Sequence, residues 1–180
     1  MTRAGDDKVL ILFRHAKAEQ TPGKADRERE LTGRGRRDAA AAGQWLHEQG
    51  LGPELVLCSP ATRTRQTWEA AVAAGACGES IEYPAGIYSG GADGVLQAVR
   101  ESGGQTQVLL VVGHNPAMAV LASGLSEGDG SRVAHECLAA GLPTSSLAVL
   151  RYAGRWEDLA FGAASLERCH VSRALDRGTG

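Results

Sequence analysis

The sequence of 180 residues has no CxxC pair, no basic surplus and no long apolar run, and each absence removes a class of protein. Its four cysteines, Cys58, Cys77, Cys137 and Cys169, are scattered. Neither a disulfide framework nor a structural zinc site is suggested, and the thiols are expected to be reduced and mostly buried. A formal charge of −2 gives no overall pull toward nucleic acid or an anionic membrane, so any preference for anions must be local. No stretch approaches the roughly 18 uninterrupted apolar residues of a spanning helix. The opening MTRAGDDKVLILF lacks the basic, apolar, small-residue order of a secretory signal. The expectation is a soluble cytoplasmic protein with no nucleic-acid or membrane partner; nothing in the sequence specifies an oligomeric state.

What is present is globular: 43% hydrophobic and 22% charged residues in a length suited to one domain, 1–180. KVLILF, ELVLC and QVLLVV are short aliphatic runs of the kind buried on both faces of a parallel sheet, with IEYP, SSLAVLRY and RWEDLAF as weaker strand candidates. Between them, LTGRGRRDAAAAGQWLHEQG predicts a helix capped by Thr32 and stopped at Gly50. PATRTRQTWEAAVAAG, ADGVLQAVRES and PAMAVLASGL predict three more. Alternating strands and helices imply right-handed crossovers and an α/β fold: a three-layer α/β/α sandwich around a mostly parallel sheet of about six strands. Residues 124–135, GLSEGDGSRVAH, read as a polar loop, and the tail 171–180 as a fraying end.

Three of the strong runs end in polar clusters: Arg14-His15, Ser59-Pro60 followed by Arg63, and Gly113-His114-Asn115. In an open α/β sheet the carboxyl ends of parallel strands share one edge, where ligands bind. Two imidazoles, two guanidiniums and the amides of new helix N-termini at one edge suit a phosphoryl dianion. An imidazole attacks phosphorus only when neutral, and neighbouring cations disfavour its protonation, so the arginines prepare nucleophile and substrate together. His47, His135 and His170 are read as polar residues satisfying local hydrogen bonds, GRGRR at 33–37 as a solvated helix face, and Ser59 as a helix cap.

FRHAKAE resembles the RHG-type motif of the histidine phosphatase superfamily, the phosphoglycerate-mutase-like clan. ELTGRGRRDA, CSPATRTRQT and VVGHNP resemble its later motifs in the same order. The resemblance runs from about residue 8 to residue 161. It departs at Ala16, where the family usually has glycine. The short length and RHAKA look most like the compact SixA-like branch, whose named activity is phosphohistidine phosphatase. The resemblance implies a phosphoglycerate-mutase-like fold, His15 as the phosphorylated nucleophile, Arg14 and Arg63 as phosphate-binding arginines, and His114 as the second histidine facing the transferred group. More loosely, it implies Arg29 as a further phosphate contact. Lys17 and Asn115 adjoin matched positions. No cofactor and no metal is implied.

An alkoxide leaving group gains from a carboxylic acid that protonates it. Between the second and fourth motifs the candidates are Glu79, Glu82 and Asp93, with Asp93 and Glu82 the possible acids. None stands in a recognised pattern, and Asp93 also suits a helix cap near Gly94. Without an acid, an imidazole leaving group is favoured, which makes protein phosphohistidine the expected substrate. Small phosphate esters, such as a sugar phosphate or a phosphoglycerate, are the alternative. A non-catalytic phospho-ligand binder is a third reading. The partner is therefore expected to be a phosphorylated protein or a small phosphorylated metabolite.

Overall fold

The computed structural model describes residues 7–175. Its six strands are β1 (Lys8–Arg14), β2 (Leu55–Cys58), β3 (Ser80–Glu82), β4 (Val108–Gly113), β5 (Ser146–Tyr152) and β6 (Ser165–Val171). They form one sheet in the order β3-β2-β4-β1-β5-β6. β1, β2, β3 and β4 pair in parallel, while β5 runs against both β1 and β6. β1 lies inside the sheet, with Leu12 between Val111 of β4 and Ala148 of β5.

Side chains alternate across a strand, and here each face meets a separate apolar layer. Leu10, Leu12, Leu57, Leu109 and Val111 point to the side covered by α4 (Gly91–Ser102), α5 (Ala117–Ser126) and α6 (Arg132–Ala139). Ile11, Phe13, Val56, Leu110 and Val112 point to the side covered by α1 (Gly33–Glu48) and α2 (Thr62–Ala73). This is why the three strong runs carry no polar alternation. Each fully buried leucine or isoleucine contributes about 1.5–3 kcal/mol relative to exposure, and this double burial fixes the strand ends that carry the polar clusters.

α1 begins as expected, with the Thr32 hydroxyl accepting from Gly35 N at 2.9 Å, and Gly50 follows it in the left-handed region at φ 65°. Gly35 and Gly43 have separate reasons to be glycine: a Cβ at Gly35 would strike the Lys17 backbone, and one at Gly43 the Ala71 backbone of α2. Arg34, Arg36 and Arg37 are exposed, as a solvated face requires.

Several expectations are corrected. RWEDLAF is not a strand: residues 156–158 form a 3-10 turn that buries Trp156, whose Nε1 donates to Thr106 O at 2.7 Å. The sixth strand is SLERCHV, which continues the fold past residue 161. Residues 124–135 are partly helical, since α5 runs to Ser126 and α6 starts at Arg132. The link between them is tied to Leu166 by Ser131 N. Leu166 pairs with Leu150, itself opposite Leu10, so this segment closes the end of the sheet away from Arg14. Asp93 lies inside the first turn of α4 and does not cap it.

The start of the expected tail is also anchored. Ser172 is buried, Arg173 Nη1 donates to Thr144 O at 2.7 Å, and Ala174 N donates to Asp38 at 2.9 Å; residues 176–180 lie outside the described residues. Finally, Cys137 of α6 and Cys169 of β6 are disulfide-bonded, with Cα atoms 6.0 Å apart. Their separation in sequence hid a pairing that arises because α6 packs on β6. Cys58 and Cys77 are free thiols, the first buried and the second exposed.

Candidate active site

Where β1 ends, His15 N donates to Gly113 O at 3.0 Å, so the parallel pairing carries His15 to the same level as His114. The two imidazole centroids are 5.2 Å apart. His15 is 9% exposed. Its Nδ1 lies 2.7 Å from Ala16 O; a carbonyl can only accept, so Nδ1 holds the proton and Nε2 presents a lone pair. Ala16 is held in turn by its N donating to the Thr67 hydroxyl at 3.0 Å.

The His15 pKa is pushed down to about 3, and burial is the leading cause. The bond to Ala16 opposes it, and repulsion from His114, Arg63 and Arg14 adds to it. Charge alone was the sequence argument; depth in the fold contributes more. His114 is lowered to about 4, again chiefly by burial, then by Arg63, with Asp26 opposing. Its Nε2 meets the Ser59 hydroxyl at 2.7 Å. Ser59 therefore orients an imidazole and is not the expected helix cap: the N-cap of α2 is Ala61, two residues on, where no side chain caps the helix.

The guanidiniums are fixed from outside. Arg14 Nη1 donates to Leu142 O at 2.7 Å, and Asn115 Nδ2 donates to the same carbonyl at 2.8 Å. Arg63 directs Nη1 to Asp26 O at 2.7 Å and Nη2 to Asp26 Oδ2 at 3.0 Å. The Nε–H groups of both arginines are buried and have no partner among the described residues. Arg29 joins indirectly, giving Nε to Glu19 O at 2.7 Å and Nη1 to Asp26 Oδ1 at 3.0 Å.

Asp26 is the residue that sequence reasoning missed. Its carboxylate accepts from Arg29, Arg63 and the Tyr88 hydroxyl, the last at 2.9 Å. The Arg29 bond leads in holding its pKa down at about 2, against the desolvation of a side chain that stays about half exposed and with help from Tyr88 and Arg63. Tyr88, at the end of α3 (Gly86–Ser89), stands edge-on to His114 with centroids 5.7 Å apart. Asp26 sits in DRERE, a charge run that reads as solvated, and no local spacing signals its partners.

The candidate acids are elsewhere. Glu82 is exposed on β3 and accepts from Ser102 at 2.9 Å, and Asp93 is exposed on α4. Neither bonds to the histidines or arginines above. His135 makes the expected local hydrogen bond, to Asp129 O at 2.8 Å, whereas His170 stacks on the ring of distant Trp45, centroids 4.5 Å apart. A cavity of about 240 Å³ opens beside His114. A larger groove of about 690 Å³ between α1 and Arg173–Leu175 holds none of these groups. Among the described residues no cluster of three or more His, Cys, Asp or Glu could hold a metal ion, and no helix is long and apolar enough to cross a membrane.

Comparison with known proteins agrees with this geometry. The histidine phosphatase superfamily (branch 1) matches residues 10–87, which hold His15, Arg29 and Arg63. Rv1276c, an uncharacterized protein of Mycobacterium tuberculosis, is 38% identical over 162 residues, 89% of this chain and 100% of that protein. The structure of a candidate phosphohistidine phosphatase SixA from Nakamurella multipartitia is 34% identical with a TM-score of 0.79, covering 92% of this chain and 96% of that one. Its counterpart from Agrobacterium tumefaciens is 29% identical with a TM-score of 0.73, covering 91% and 97%. On a mostly parallel sheet that brings an arginine-flanked histidine to face a second one, this similarity along nearly the whole chain means that the protein belongs to the histidine phosphatase superfamily.

Proposed function

We propose that this protein is a phosphohistidine phosphatase acting on phosphorylated protein, with His15 as the transient carrier of the phosphoryl group. The observation that carries the reading is the state of the acid–base groups at the site. A proton-free His15 Nε2 stands among arginines, while the one carboxyl group in the bonded cluster, Asp26, is ionised and has no proton to give. Membership of the superfamily supports phosphoryl transfer through a phosphohistidine, and the relatives named as phosphohistidine phosphatases support the substrate.

In the first step the Nε2 lone pair attacks phosphorus as the P–N bond of the substrate breaks and its electron pair returns to the departing ring nitrogen. A substrate imidazole protonated on its other nitrogen leaves neutral, so one phosphorylated imidazole is exchanged for another. Arg14 and Arg63, through their unpaired Nε–H groups, stabilise charge on the equatorial oxygens, where phosphoryl transfer needs it most. Water then attacks phosphorus as the P–Nε2 bond breaks and its electron pair returns to Nε2; the water oxygen joins the phosphate, its protons leave with phosphate or to solvent, and His15 is regenerated with its proton on Nδ1.

Against ester hydrolysis stands the lack of a hydrogen bond from Glu82 or Asp93 to either histidine; Glu82 accepts from Ser102, and both carboxylates are exposed. The test compares a phosphohistidine protein with a sugar phosphate and a phosphoglycerate, using wild type and His15→Ala. Turnover of the phosphohistidine protein at least tenfold above either ester, abolished by the substitution, is expected. The reverse order would make the protein an ester phosphatase, and phosphate binding with no turnover would make it a binder.

A further inference from the structure

From the contacts of Asp26, we infer that this residue determines specificity by excluding leaving groups that carry negative charge and favouring neutral or cationic ones. The inference rests on the phosphatase reading above and names what its site selects. Asp26 holds the outer side of Arg63 through two bonds, and also binds Arg29 and Tyr88. Around His114 three guanidiniums, those of Arg14, Arg29 and Arg63, stand against one carboxylate, that of Asp26, while both imidazoles are neutral. Two net positive charges match one phosphoryl dianion and leave nothing over for a second anion.

The cations beside Asp26 in the chain, Lys24 and Arg27, do not fill that gap. Lys24 is paired with Glu30 at 2.7 Å. Arg27 is exposed, its guanidinium 5.8 Å from the Tyr88 ring, where solvent and salt screen it. The space open to a leaving group is the cavity beside His114, lined by Tyr88, His114, Asn115, Pro116, Ala117 and Val120 among others. Its wall is mostly apolar and aromatic, with Asn115 and His114 as its polar members, and offers no cation, and the Tyr88 hydroxyl that joins it to Asp26 is committed to the carboxylate. A flat ring fits such a wall, and a positive charge on that ring is stabilised by Asp26. A phosphorylated imidazole that carries its proton on the far nitrogen has both properties until the P–N bond breaks, and it then departs neutral. The carboxylate of a phosphoglycerate has neither.

Asp26→Asn keeps the size and the ability to accept hydrogen bonds but removes the charge, and Asp26→Glu keeps the charge. The probes are N-phosphoimidazole, 4-nitrophenyl phosphate and 3-phosphoglycerate. The ratio of kcat/KM for N-phosphoimidazole to that for 3-phosphoglycerate is expected to fall about tenfold in Asp26→Asn. Asp26→Glu holds the ratio near the wild-type value even if all rates drop. Equal losses on all three probes in Asp26→Asn, with the ratio unchanged, would reduce Asp26 to a residue that positions Arg63 and overturn the inference. Calorimetric binding of inorganic phosphate and 3-phosphoglycerate gives the same comparison without turnover. Asp26→Asn should shift relative affinity about tenfold toward 3-phosphoglycerate. That shift in a protein that turns over none of the probes would sink the phosphatase reading and leave the Asp26 assignment standing; no shift would sink the assignment.

Discussion

Ser59 Oγ and His114 Nε2 are 2.7 Å apart, so a hydroxyl from the end of β2 sets the orientation of an imidazole from the end of β4. Ser59 is fully buried, and its removal leaves a ring nitrogen without its bond. Ser59→Ala should lower kcat by about ten- to a hundredfold while inhibition by inorganic phosphate stays within about twofold. The free energy of unfolding should fall by about 1–3 kcal/mol, as for a buried polar group that loses its partner. Equal losses in kcat and phosphate affinity would place Ser59 in phosphate binding.

The two depressed imidazoles make stability depend on pH. Each is neutral in the folded protein down to about 3 for His15 and about 4 for His114, whereas in the unfolded chain each binds a proton below about 6.5. The unfolded state therefore holds more protons between those values, and stability falls as pH drops from about 6.5 through the folded pKa of each group. The loss should reach up to about 1.4 kcal/mol per pH unit for each histidine. Urea unfolding of wild type and His15→Asn between pH 7.5 and 5 measures it, and the variant should show the shallower decline.

At Gly43 the backbones of α1 and α2 come into direct contact, the space of its missing side chain occupied by the Ala71 backbone. Gly43→Ala should force the helices apart and cost about 1–3 kcal/mol, as overpacking does. Gly33→Ala on the same helix would meet only the end of Arg37 at 3.7 Å and should stay within about 1 kcal/mol of wild type. Thermal unfolding of both variants checks the contrast, and similar melting temperatures would contradict it.

Much of this architecture was legible because it depends on local signals. The aliphatic runs of β1, β2 and β4 mark strands buried on both faces, Thr32 marks the start of α1, and strand ends bearing Arg14-His15 and Gly113-His114 share one edge by topology. What was hidden depends on contact between distant segments. Asp26 acquires its role only when the 26–28 turn folds over Arg63 of α2, and the Cys137–Cys169 bond exists only because α6 lies on β6. The cause of the His15 pKa was half legible: its charged neighbours follow from the motifs, but its depth in the fold does not. β6 was missed because SLERCHV pairs with β5 as a partly exposed strand, where polar residues break the apolar run.

The central claim is that His15 Nε2, and no other atom, carries the phosphoryl group during turnover. Rapid quench after mixing with N-phosphoimidazole, followed by mass spectrometry under basic conditions and ³¹P NMR of the trapped enzyme, tests it directly. The account predicts one phosphorus on residue 15, bonded to Nε2, that appears and decays at rates matching turnover. Phosphorus on residue 114, attachment through Nδ1, or full turnover with no phosphorylated enzyme would contradict it.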